Sequence, residues 1–88
     1  MTDDELLGEI EKELLKLEDS SWRQRNNVLV ERRVLKNIRA LFRRAGSHSL
    51  TDSQGFLRVV SDVLGIDSRL TVLADELYLR AQKRSGSD

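Results

Sequence analysis

Five cations recur at helical spacing along this chain: Arg25, Arg32, Lys36, Arg39 and Arg43. On a helix of 3.6 residues per turn they fall within about 60° of one another and extend over roughly 27 Å. A row that long can follow several phosphates of a polyanion, and the planar guanidinium fork suits phosphate. The bland alternative is that carboxylates of the chain itself occupy Arg25, Arg32 and Arg39, leaving only a solvated face. A domain dedicated to nucleic acid is usually basic overall, whereas this chain has 15 Lys+Arg against 15 Asp+Glu.

Other residues capable of chemistry are scattered. His48 is the only histidine and lies between Ser47 and Ser49, with no cysteine in the chain. Neither a catalytic triad nor a metal site is supported by a lone loop histidine. The pairs Asp3-Asp4 and Asp75-Glu76 read as capping and surface charge rather than paired acid and base. No Gly-rich loop is present to cradle phosphate. These absences predict a protein without catalytic residues, metal or cofactor.

The charge is unevenly laid out. Residues 1–19 carry a balance of −6, residues 20–46 of +7 and residues 47–88 of −1. An acidic segment followed at once by a basic one must be satisfied by something: the chain itself, a second copy, another protein or a polyanion. The 88 residues suit one small domain, marginal on its own core and helped by dimerisation. The start, Thr2-Asp3-Asp4-Glu5, is acidic where a secretory leader needs positive charge. No apolar run approaches the roughly 18 residues of a membrane span. A cytoplasmic location is the expectation, and membrane partners are not.

The elements that must position the cations are helices. Thr2 and Glu5 form a capping-box pattern that starts helix one, about 3–18. Asp19-Ser20-Ser21 offers a new N-cap, and helix two is predicted over about 22–45, ending at Gly46. Thr51 with Gln54 predicts helix three over about 52–64, and Asp67 caps helix four, about 68–83, before a frayed tail at 85–88.

A heptad frame joins the first two helices. With Leu7 at position a, the seam runs through Ile10, Leu14, Leu17, Val28, Leu35, Ile38 and Phe42. Ser21, Gln24 and Glu31 interrupt it. The e positions are Asp4, Glu11 and Glu18, then Arg25, Arg32 and Arg39. One antiparallel register pairs Asp4 with Arg39, Glu11 with Arg32 and Glu18 with Arg25, and stacks the apolar layers as well. An intramolecular hairpin satisfies it, as does one long helix paired with a second copy in a swapped dimer.

Trp22 opens a basic amphipathic segment that would suit a membrane surface or a partner's groove. The plainer expectation is a plug over the end of a bundle. The stretch Val60–Thr71, with Gly65 and Ile66 between two helices, resembles the turn of helix-turn-helix DNA-binding proteins. Its second helix carries Leu70, Val72, Leu73, Asp75 and Glu76, which would meet phosphates poorly, so a packed αα-hairpin is expected instead.

The expected fold is all-α: a small helical bundle on an antiparallel coiled-coil hairpin, with a C-terminal αα-hairpin. The expected function is a non-enzymatic protein–protein interaction or assembly module, a homodimer or the binder of a protein partner. The alternative is a nucleic-acid-associated regulator using Arg25, Arg32, Lys36, Arg39 and Arg43.

Overall fold

Thr2 begins the first helix as its sequence predicts, its hydroxyl accepting from the Glu5 backbone N–H at 3.1 Å. The structure is a computed structural model that describes residues 1–27, 29–46 and 49–86. Among those residues the chain forms α1 (Asp3–Glu18), α2 (Ser20–Arg25), α3 (Arg32–Ala45), α4 (Leu50–Leu64) and α5 (Arg69–Gly86), with no strand.

The helix predicted over 22–45 is two helices, which corrects the sequence reading. Asp19 caps the first, accepting from Ser21 N–H at 2.9 Å. Asn26 then ends it, its side chain donating to the Trp22 carbonyl at 2.9 Å. Asn27 adopts φ +54°, a left-handed conformation that asparagine tolerates better than most residues. Past the break the chain is pinned: Arg23 Nη1 donates to the Val30 carbonyl at 3.0 Å, and the Val30 side chain is buried in the core. The interruptions in the heptad frame at Ser21, Gln24 and Glu31 flank this break. A helix continued through them would bury polar side chains on its seam, a cost that breaking the helix avoids.

Two caps also differ from expectation. Ser49, not Thr51, caps α4, accepting from Asp52 N–H at 3.4 Å. Ser68, not Asp67, accepts from Thr71 N–H at 3.1 Å, and the Thr71 hydroxyl donates to the Gly65 carbonyl at 2.7 Å. The expected fraying at 85–88 is met by a helix that runs through Gly86, with residues 87 and 88 outside those described.

One apolar cluster joins the helices. It contains Leu6, Ile10, Leu14 and Leu17 of α1, Leu35, Ile38 and Ala45 of α3, Phe56 and Val60 of α4, and Leu70, Leu73, Ala74 and Leu77 of α5. Phe42 packs on Phe56 with ring centroids 5.6 Å apart. Helices α4 and α5 pack closely on each other, as the expected C-terminal αα-hairpin requires, and α3 packs on α4. The main partner of α1 is α5 rather than the basic helix. Asp3 of α1 pairs with Arg80 and Arg84 of α5, while Glu9 and Glu13 pair with Arg69, so the two helices run antiparallel.

The residues predicted as a helix-pairing seam therefore enter a core shared by several helices. Ile10, Leu14, Leu17, Leu35 and Ile38 are buried there, and Leu7 and Phe42 pack partly buried against it. Val28 lies outside the described residues.

Candidate polyanion-binding face

On α3 the apolar side chains set the orientation of the charged ones. Leu35, Ile38 and Ala45 are buried, and Val34, Leu41 and Phe42 pack partly buried on the same core. The opposite side of the helix is left to Arg32, Arg33, Lys36, Asn37, Ala40, Arg43 and Arg44, all exposed. No acidic residue lies between Arg32 and Ala45; the nearest is Glu31, at the N-cap.

Arg39 is the stripe residue that the acidic helix takes. Its Nε donates to Glu18 Oε1 at 2.5 Å and its Nη1 to Glu11 Oε1 at 2.9 Å. These bonds to Glu18 and then Glu11 raise the guanidinium's pKa further, and the Glu18 carboxyl is held below the ordinary glutamate range. The predicted pairs Asp4–Arg39, Glu11–Arg32 and Glu18–Arg25 do not form among the described residues; one arginine bridges two of the three acids instead.

Three of the other α1 carboxylates, Asp3, Glu9 and Glu13, are occupied elsewhere, while Asp4 and Glu5 make no ion pair among the described residues. Arg80 Nη1 lies 2.7 Å from Asp3 Oδ1, and Arg84 also pairs with Asp3. Bonding to Asp3 first, and to Glu76, raises Arg80's pKa. Glu9 is bound by Lys12 at 3.2 Å and Arg69 at 3.3 Å, with its pKa lowered in that order of cause. Glu13 pairs with Lys16 at 2.8 Å and Arg69 at 3.8 Å. Asp19 is spent on the cap of α2. Cations of α5 thus take Asp3, Glu9 and Glu13, and Arg32, Arg33, Lys36 and Arg43 make no ion pair among the described residues.

The stripe is consequently shorter than the sequence suggested. Arg25 is exposed but ends α2, across the break from the rest, and Arg39 is turned to α1. Arg33 joins Arg32, Lys36 and Arg43 on the solvent side of α3. Sequence reasoning missed Arg69, Arg80 and Arg84 as partners of α1. Their signal was the spacing of Leu70, Leu73 and Leu77, which matches the 3-4 spacing of the α1 stripe.

Trp22 is half-buried against the core and lines a small hollow with Leu17, Leu64 and Leu70, as a plug at the bundle end would. A wider cleft lies beside the break, lined by Arg23, Gln24, Leu29 and Glu31. His48 lies outside the described residues. Among those described, no cluster of three or more His, Cys, Asp or Glu side chains could hold a metal ion, and no helix is long and apolar enough to cross a membrane. No protein-family model matches the chain, and no curated protein or solved structure matches it significantly.

Proposed function

We propose that this chain is a small non-enzymatic binding module, regulatory or assembly in role and working in the cytoplasm, that presents the outer face of α3 to an anionic macromolecule. The observation that carries this reading is the state of Arg32, Arg33, Lys36 and Arg43. All are exposed, none has an ion-pair partner among the described residues, and no acid is interspersed along the helix. Uncompensated like charges on one rigid helix repel one another, and an anionic partner relieves that repulsion. In the protein–protein form of this reading, the partner or a second copy of the chain meets the face with carboxylates.

Retention on an immobilised sulfated polyanion tests the proposal. The wild-type chain should elute at substantially higher salt than a variant carrying Arg32→Glu, Arg33→Glu, Lys36→Glu and Arg43→Glu, with both equally helical by circular dichroism. Equal elution would refute it. Sedimentation across a concentration range separates the second-copy form: a monomer throughout excludes it.

A further inference from the structure

We infer that the α3 face binds the phosphate backbone of double-stranded nucleic acid without reading its sequence. This rests on the anionic-partner reading and names the partner.

What the face lacks points to its partner. Protein interfaces are organised around a desolvated central patch in which aromatic, large apolar and arginine anchors are set among apolar neighbours, and lysine is depleted in them. Outward-facing α3 positions hold Arg32, Arg33, Lys36, Asn37 and Arg43, with no apolar side chain larger than that of Ala40. Every larger apolar side chain of α3 packs into the core. An acidic protein docking here would find arginines but no apolar patch around them to exclude water.

The same absence separates duplex from single strand. Proteins that hold single strands stack the bases on aromatic side chains. Phe42 and Trp22 both pack against the core, so α3 offers no stacking platform. It also separates nucleic acid from lipid. Interfacial helices bind membranes by burying their apolar face in the bilayer, and that face of α3 is already committed to α4. A duplex needs neither anchor nor platform. It presents one charge per roughly 1.7 Å of axis, and Arg32 to Arg43 covers about 16 Å of helix. Arginine grips phosphate bidentately and lysine as a point charge.

The test is fluorescence anisotropy of a labelled 20-base-pair duplex of mixed sequence, titrated with the full chain from low to moderate salt. Four phosphate contacts predict a slope of log affinity against log salt of about −3.6. Substituting Arg33→Gln and Lys36→Gln together should make that slope shallower by about two, with unchanged helicity. An unchanged slope overturns the inference. Labelled poly-glutamate and anionic phosphatidylserine vesicles are run beside the duplex. Binding to poly-glutamate without binding to the duplex overturns the nucleic-acid assignment and leaves the anionic-partner reading standing. Failure to bind either of them removes both. Vesicle binding in place of duplex binding, or tighter binding of the equivalent single strand, also overturns it.

Discussion

Arg39 Nε donates to the Glu18 carboxylate at 2.5 Å, and this contact ties the middle of α3 to the last residue of α1. The same guanidinium holds Glu11 from Nη1.

Replacing Arg39 by alanine should lower stability by about 1 kcal/mol, because the arginine is partly buried but its acids are well exposed. For a domain of this size that is a fall in Tm of roughly 4–8 °C. In a double-mutant cycle Arg39→Ala and Glu18→Ala should couple, whereas Arg32→Ala and Glu11→Ala should not. Coupling between Arg32 and Glu11 instead would restore the coiled-coil register read from the heptads.

Acid should weaken the fold in a defined window. Glu18 and Glu9 have folded pKa values below the ordinary value of 4.5, Glu18 through Arg39 and Glu9 through Lys12 and then Arg69. The unfolded chain therefore binds these protons more tightly. The stabilisation is present above about pH 4.5 and is lost as pH falls through the lower folded values. Melting temperatures taken through that range should fall with pH, and less steeply in the Arg39→Ala variant. An identical slope in both proteins would show that the Arg39–Glu18 bond contributes nothing to it.

Two glycines should respond in opposite directions. Gly65 ends α4 at φ 87° and ψ 161°, a region essentially restricted to glycine, and open space surrounds the position of its missing Cβ. Gly65→Ala should cost about 1–3 kcal/mol from backbone strain alone. Gly8 lies inside α1, equally uncrowded, and Gly8→Ala should add about 0.5–1 kcal/mol. Urea denaturation of both variants measures this; a destabilised Gly8→Ala would mean that its surface is not open.

Phe56 is fully buried and packs its ring, tilted by 40°, against that of Phe42 where α3 meets α4. Phe56→Ala should cost about 3–5 kcal/mol, a large share of what a small domain possesses. Thermal unfolding followed by circular dichroism should show a lowered, broadened transition. A Tm within a few degrees of wild type would place the core elsewhere.

The all-helical class, the start of α1 at Thr2, the cap at Asp19, the ends at Gly46 and Gly65, and the apolar faces were legible in the residue order alone. Capping, propensity and 3.6-residue periodicity are local, so neighbouring residues suffice to specify them. Which face meets which depended on the packing of the whole chain. The α1 stripe of Leu6, Ile10, Leu14 and Leu17 fits any apolar partner of similar spacing, and the heptads of α3 and the leucines of α5 both qualify. With α2 ending at Arg25 and α3 starting at Arg32, the shared core gave α5 to α1 and α4 to α3. Charge followed packing: Asp3, Glu9 and Glu13 are held by Arg69, Arg80 and Arg84, and only Glu11 and Glu18 of the acidic helix pair with the basic one, both through Arg39. Exposed ion pairs contribute too little to override apolar burial, and for that reason charge complementarity in the sequence chose the wrong helix.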